Sequence, residues 1–205
     1  MIRTFHSGSA TLVEVLAARS DSTRLTFAIR AAAVVFITAL TAAAAQISIP
    51  LPFTDVPFTF QPIVVLIGGL TLGPKLGMVS QVLYLAAGIA GLPVFAASAT
   101  LPPGAARLFG PTGGYLMSYP FAALITGYLG ARGFDRRYLT SVAAMLAGLA
   151  VIFAGGVLWL AMLVGPRAAL VTGFYPFIVP DLVKVLGAAG VMPGIWRLLG
   201  ARVEI

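Results

Sequence analysis

An uncharged stretch at residues 140–164 limits the fold of this chain more than any other feature of its sequence. The stretch reads TSVAAMLAGLAVIFAGGVLWLAMLV, and a membrane-spanning helix needs about 20 consecutive apolar residues. The whole chain is 60% hydrophobic and 9% charged, whereas soluble domains carry about 25% charged residues. A chain of this composition cannot cover its surface with polar groups. The sequence therefore predicts an integral membrane protein that lies mostly in lipid.

Further apolar runs predict an all-α membrane domain of six transmembrane helices, residues 28–199. The six runs cover residues 28–49, 63–73, 76–95, 113–131, 140–164 and 174–199. Gly73-Pro74 separates the second run from the third, because proline favours a helix start and disfavours a helical residue before it. The flanking segments, 1–27 and 200–205, are predicted to be cytoplasmic tails, and the first could hold a short surface helix.

Two connecting segments have their own predicted character. Residues 50–62, PLPFTDVPFTFQP, contain four prolines, which exclude a regular helix. We expect an apolar, aromatic loop on or in the membrane surface. Residues 165–173, GPRAALVTG, are expected to connect the fifth span to the sixth.

Basic residues predict the orientation of the six spans. With the N-terminus in the cytoplasm, ten of the thirteen Lys and Arg residues fall inside. Only Arg107 and Arg167 fall outside, and Lys184 lies within a span. Cytoplasmic loops of membrane proteins carry an excess of Lys and Arg, so both termini are predicted to be cytoplasmic. A five-span alternative that joins residues 63–91 would place the basic cluster at 132–137 outside.

Several classes of function lack the residues they need. The chain has no cysteine and a single histidine, His6, so neither disulfides nor a zinc site is expected. No Walker A, zincin or GxSxG motif appears, which argues against ATP binding by this chain and against an enzyme. The net charge of +7 is explained by membrane topology, so no nucleic-acid partner is expected. The expected surroundings of the chain are membrane lipids. No cofactor is predicted.

Two opposite charges, Asp181 and Lys184, interrupt the last apolar run. A charge at the membrane centre costs roughly 2.5 to 3.5 kcal/mol on insertion scales, so something must offset that cost. Because the two residues are three apart, they share one helix face, and the predicted topology puts them in the outer half of the membrane. They either neutralise each other and lock helix packing, or they bind the polar groups of a ligand.

Other polar groups are expected to converge on the same outer side. The candidates are Thr54, Asp55, Thr59 and Gln61 of the proline-rich loop, and Arg107, Thr112 and Tyr115 around the sequence GPTGGY. Glycine-rich backbone at the mouth of a span lets N–H groups approach a ligand closely, although such glycines also make ordinary turns. Arg107 could equally be a solvated loop charge.

Aromatic side chains could wall the apolar part of such a ligand. These are Phe53, Phe58, Phe60 and Tyr175. Aromatic residues also form ordinary belts at the membrane surface, so both roles stay open.

Small residues recur at helical spacing in two places. Ala39 and Ala43 form one such pair in the first span, and Gly69, Gly73 and Gly77 repeat the spacing further on. Small residues let helices approach closely. The sequence leaves open whether these surfaces pack within the chain or dock another subunit.

Four segments of the chain resemble one known family in collinear order. They are PFTDVPFTFQP, LGPKLGMVSQVLYLAAGIAGLPVFA, LFGPTGGYLMSYPFAALITGYL and PDLVKVL. Over about residues 28–199 the chain is similar to the biotin transporter substrate-binding components of the BioY family. These are the S components of energy-coupling-factor (ECF) transporters. The resemblance implies an S-component fold in the bacterial cytoplasmic membrane that holds biotin near the extracytoplasmic surface.

The resemblance also implies roles for single residues. Asp181 and Lys184 match the family's Asp and Lys of the last helix and are implicated in biotin binding, and Arg107 matches the basic residue before the glycine motif. Ala39 and Ala43 match the surface that meets the energy-coupling transmembrane subunit. ATP is expected to be bound by separate ATPase subunits.

The chemistry of the ligand is left open in several respects. The segment 97–106 departs from the family pattern, because it has no obvious Asn for a ureido contact. Asp181 could accept from the ureido N–H groups, and either Lys184 or Arg107 could hold the carboxylate. The alternatives are an S component for another vitamin and a solitary small-molecule carrier.

Overall fold

The computed structural model describes residues 10–20, 22–97, 102 and 104–200, and these are mostly helical. The helices are α1 Leu12–Ala18, α2 Thr23–Gln46, α3 Gln61–Leu72, α4 Pro74–Ile89, α5 Ala106–Phe109, α6 Gly113–Gly130, α7 Tyr138–Val164, α8 Pro166–Ala169, α9 Tyr175–Ala188 and α10 Val191–Leu198. The described part of the chain also contains two strands, β1 Ser48–Leu51 and β2 Thr54–Thr59. A 3₁₀ turn covers Phe134–Arg136, and a π-helical turn covers Leu170–Phe174.

The proline-rich segment is a β-hairpin rather than the irregular loop that its prolines suggested. β1 and β2 pair antiparallel, with Ser48 opposite Thr59 and Ile49 opposite Phe58. The register is irregular between Ile49 and Leu51, where Pro50 cannot donate to the ladder. Proline is tolerated here because the sheet has only two strands, and each strand is therefore an edge.

A sharp reversal at Gly73 separates α3 from α4, which confirms the predicted break. Gly73 has φ of 80°, a left-handed conformation that glycine adopts without steric cost. A Cβ on Gly77 would lie 3.1 Å from Gly69 Cα, so residues four before and four after the turn face each other. This part of the glycine repeat packs within the chain.

The last span begins earlier than predicted. Residues 166–169 are already helical, and Gly165, with φ of 85°, is the single break between α7 and α8. The expected connection at 165–173 is therefore mostly helix and π-helical turn. The first span also begins early, since α2 starts at Thr23, where Ser22 accepts a hydrogen bond from the Leu25 amide and caps the helix.

The core lies around α6, which packs against α3, α4 and α7. Ala122 and Ala123 on α6 are fully buried, as are Leu66 on α3 and Met145 on α7. Small residues on α6 allow these neighbours to come close. Among the residues that the structure describes, three helical stretches are long and apolar enough to cross a membrane, Thr23–Gln46, Tyr138–Val164 and Pro166–Leu198.

The helices run between two ends of the molecule that differ in character. At one end the α3–α4 turn meets the N-terminal helix, since a Cβ on Gly73 would lie 2.9 Å from Thr11 Cγ2. Arg136 of the α6–α7 turn donates to the Ala10 carbonyl at this same end. The β-hairpin, residues 95–97, the start of α6 and part of α9 surround a cavity at the opposite end.

Candidate ligand-binding site

A cavity opens between the β-hairpin, the segment after α4, and helices α5, α6, α7 and α9. Its empty volume is about 840 Å³, counted to the mouth and including the solvent there. Its charged and polar lining residues are Asp55, Thr59, Gln61, Arg107, Thr112, Tyr115, Tyr119, Asp181 and Lys184. Ligand pockets combine apolar walls with a few precisely placed polar groups. The lining of this cavity has that mixture.

Asp181 and Lys184 form a buried ion pair at the cavity wall. Lys184 Nζ lies 2.5 Å from Asp181 Oδ1, and their side chains are 9% and 8% exposed. Pro180 lies inside α9 just before the pair, and α9 nevertheless remains helical across it, so the spacing of three residues puts both charges on one face. Asp181 and Lys184 therefore meet, as their spacing predicts, in a largely buried position.

Lys184 also fastens α9 to the β-hairpin. Its Nζ donates to the Thr59 carbonyl at 2.7 Å and lies 3.7 Å from the centroid of the Phe58 ring. A cation over an aromatic face is stabilised by the ring quadrupole. Phe58 thus supports the ammonium group, and it is absent from the cavity lining.

Gln61 reaches the cavity from the first turn of α3. The side chain is 3% exposed, and its Nε2 donates to the Tyr84 hydroxyl at 2.5 Å. Tyr84 donates in turn to the Val94 carbonyl at 3.1 Å. Tyr84 is therefore part of the support of the site. Its local sequence gives no sign of this role, because its partner Gln61 lies 23 residues away in the chain.

Tyr115 and Thr112 line the cavity at the start of α6. The Tyr115 hydroxyl donates to the Gly173 carbonyl at 2.7 Å, within the π-helical turn, which leaves some carbonyls without their usual helical partner. Gly113 and Gly114 of the same motif pack against Leu108 and Trp159. In this structure the glycines serve contacts between helices.

Arg107 lies on the short helix α5 at the cavity wall. Its side chain lines the cavity and is buried at 8% exposure, so it is not a solvated loop charge. Its Nε donates to the Pro102 carbonyl at 3.0 Å, which orients the guanidinium group.

The apolar wall differs from the one that sequence analysis expected. Its large side chains include Phe95, Leu116, Ile152, Phe153 and Phe177. Phe53, Phe60 and Tyr175 are absent from that lining and are 58%, 42% and 58% exposed. A wall residue such as Phe153 sits in an uninterrupted apolar span, and nothing in its local sequence distinguishes it from residues that face lipid.

Ala39 and Ala43 lie away from the cavity on α2, and both are exposed. They lie on one face because they are four residues apart. Neighbouring Val35 and Phe36 are also exposed, so this face of α2 is apolar and is not covered by the described residues.

Comparison with known proteins places this architecture in one family. The family model described as BioY family matches residues 17–201. A probable biotin transporter BioY of Pyrococcus horikoshii is 45% identical over 155 residues, covering 76% of this chain and 88% of the relative. The biotin transporter BioY of Thermotoga maritima is 40% identical over 153 residues, covering 74% and 86%.

A solved structure shows the same fold. It is a crystal structure of the S-component for biotin from an ECF-type ABC transporter, with a TM-score of 0.75 and 23% sequence identity. The match covers 87% of this chain and 95% of that one. The family match over residues 17–201 and the identity to these relatives show that the chain belongs to the BioY family.

Proposed function

We propose that this protein captures biotin as the substrate-specific subunit of an ECF-type ABC transporter in the cytoplasmic membrane. The observation that carries the proposal is the buried Asp181–Lys184 pair on the wall of a cavity. Two of its relatives are named as biotin transporters, one of them as probable. An intramembrane ion pair is by default a functional site, and both residues of this pair line a cavity.

The chemistry of biotin matches the lining of this cavity. Its ureido group offers two N–H donors and a carbonyl, its valerate chain ends in a carboxylate, and its thioether ring is apolar. Asp181 accepts from a ureido N–H in the proposed complex, while Lys184 or Arg107 holds the carboxylate. Thr59, Gln61, Thr112 and Tyr115 complete the site beside the apolar wall. Charge-assisted hydrogen bonds are the stronger kind, and unpaired charges penalise ligands that lack the matching groups.

We further propose six membrane spans with both termini in the cytoplasm. The six are α2, α3, α4, α6, α7 and the helical stretch from α8 to α10. The packing of α1 and of the α6–α7 turn at the end opposite the cavity supports this arrangement. It puts the cavity on the extracytoplasmic side, where a captured vitamin arrives.

Uptake requires partner chains in this proposal. The chain lacks a P-loop, so separate ATPase subunits bind ATP, and an energy-coupling transmembrane subunit docks on α2. The exposed pair Ala39 and Ala43 supports that docking surface, because small residues let a partner helix approach closely.

A titration of the purified protein with biotin tests the proposed function. We expect tight binding, reduced by at least about 30-fold in Asp181→Asn and in Lys184→Met. Truncating one partner of a buried charge pair costs about 2–5 kcal/mol. The matched control is Lys75→Met, which makes the same substitution at an exposed residue beside the α3–α4 turn.

Two outcomes of that titration would contradict the proposal. If thiamine or riboflavin binds more tightly than biotin, the protein is an S component for another vitamin. If both charge variants fold and bind biotin like the unmodified protein, the assigned site is wrong. Biotin amide is a further test ligand. If the amide binds as tightly as biotin, the carboxylate is not recognised by the site.

A further inference from the structure

The side chain of Gln61 is held by a chain of hydrogen bonds that leads away from the cavity. Gln61 Nε2 lies 2.5 Å from the Tyr84 hydroxyl, which lies 3.1 Å from the Val94 carbonyl oxygen. Gln61 lines the cavity, and Tyr84 is absent from the lining. Tyr84 of α4 therefore contacts the cavity residue Gln61 of α3 from the side away from the cavity.

The direction of these hydrogen bonds follows from the number of protons. A backbone carbonyl can only accept, and a phenol has a single O–H proton. Because that proton is donated to Val94, the Tyr84 oxygen can only accept from Gln61. The amide must then turn its nitrogen to Tyr84 and use one of its two N–H hydrogens there, so that its carbonyl oxygen, Oε1, is the acceptor that remains for the cavity.

The packing around Tyr84 prevents its hydroxyl from reversing the direction of these two hydrogen bonds. The residue is fully buried, with 0% exposure. Its ring meets Phe95 edge-on at a centroid distance of 5.4 Å and stacks on Tyr119 at 6.4 Å. The hydroxyl position is thus determined by packing on two sides, and rotation of the ring would leave the Val94 carbonyl without its donor.

We propose that Tyr84 is a positioning residue that makes Gln61 a hydrogen-bond acceptor in the cavity. Gln61 Oε1 then selects a ligand with an N–H donor at that place and rejects one with an acceptor. The inference rests on the proposed function, in which the donor is one ureido N–H of biotin. Asp181 takes the other N–H, so the two donors of the ureido group meet two acceptors on different helices.

Two biotin analogues test this assignment without adding bulk. Each is a cyclic carbamate in which one of the two ureido N–H groups is replaced by oxygen. In the unmodified protein we expect both analogues to bind at least roughly fivefold more weakly than biotin, because a buried acceptor loses its donor. In Gln61→Met the loss should disappear for one carbamate and persist for the other.

The variant Tyr84→Phe tests whether Tyr84 acts through Gln61. We expect weaker biotin binding in Tyr84→Phe, and no further weakening when it is combined with Gln61→Met, because both changes remove the same interaction. The matched control is Tyr138→Phe, which removes a hydroxyl that donates to the Leu186 carbonyl at 2.9 Å and lies outside the cavity lining.

The outcomes separate this inference from the proposed function. Failure of the unmodified protein to bind biotin would overturn the proposed function. Tight biotin binding together with two carbamate losses that Gln61→Met leaves unchanged would overturn only the role of Gln61. Additive effects of Gln61→Met and Tyr84→Phe would overturn the positioning role of Tyr84. The carbamate comparison needs no Tyr84 variant, so it decides the role of Gln61 even if Tyr84→Phe fails to fold.

Discussion

At the scale of single residues, the question is how the fold tolerates two full charges in an apolar helix. Lys184 donates to Asp181 and to the Thr59 carbonyl, and its ammonium group lies over the Phe58 ring. These contacts replace part of the hydration that both groups lose on burial. The pair therefore contributes to packing even before a ligand arrives, so stability and binding must be separated by experiment.

Neutralising both charges together separates the two roles. Asp181→Asn or Lys184→Met alone should lower stability by about 3–5 kcal/mol, because each leaves one buried charge without its partner. The double variant should recover most of that loss and still fail to bind biotin. Thermal unfolding and a biotin titration on the same samples measure this, with Lys75→Met as the control. Normal biotin binding by the double variant would show that the pair stabilises helix packing and has no part in binding.

At the scale of elements, the reversal at Gly73 shows how far local sequence predicts structure. The Gly-Pro pair indicates a break, and α3 and α4 do separate there. The β-hairpin escaped prediction because proline argues only against helix, whereas strand pairing depends on contacts between residues ten or so apart. The early start of the last helix was not predicted either. Glycine and proline at 165–166 suggest a loop, but the break in the structure is the single residue Gly165.

Alanine at Gly73 should disturb the turn between α3 and α4. Gly73→Ala is expected to cost about 1–3 kcal/mol of stability, since a Cβ is strained at φ of 80° and would press on Thr11. Gly187→Ala is the matched control, because Gly187 lies within α9 and a Cβ there meets nothing within 4 Å. That control should be neutral or slightly stabilising. Equal unfolding midpoints for both variants would contradict the argument.

At the scale of the whole molecule, a cluster of charged and aromatic groups joins Ala10, the α6–α7 turn and α10 at the end away from the cavity. Trp196 of α10 donates to Asp135 at 2.6 Å, and the Arg136 guanidinium lies 3.4 Å over the Trp196 ring. Arg136 also donates to the Ala10 carbonyl at 2.6 Å. Burial raises the pKa of the Asp135 carboxyl, while the hydrogen bond from Trp196 and the charge of Arg136 oppose that rise. The N- and C-terminal elements are thereby held at one end.

Single cysteines can test which end faces the cytoplasm, because the chain contains none of its own. Arg137 and Arg167 are both exposed and lie at the two ends of α7. In oriented membranes, a membrane-impermeant thiol reagent should label Arg137→Cys from the cytoplasmic side and Arg167→Cys from the outer side. Labelling of both residues from one side would contradict the six-span arrangement.

The sequence by itself determined that this chain is an integral membrane protein, that α3 and α4 separate at Gly73, and that Asp181 and Lys184 share a helix face. These features follow from composition, backbone conformation and helical spacing, which are local properties. Only the tertiary structure decided that Tyr84 supports Gln61, that Phe95 and Phe153 form the apolar wall, and that Phe58 lies beneath Lys184. In an apolar chain, wall residues and lipid-facing residues have the same composition. Which of them face the cavity is therefore decided by helix packing over long sequence distances.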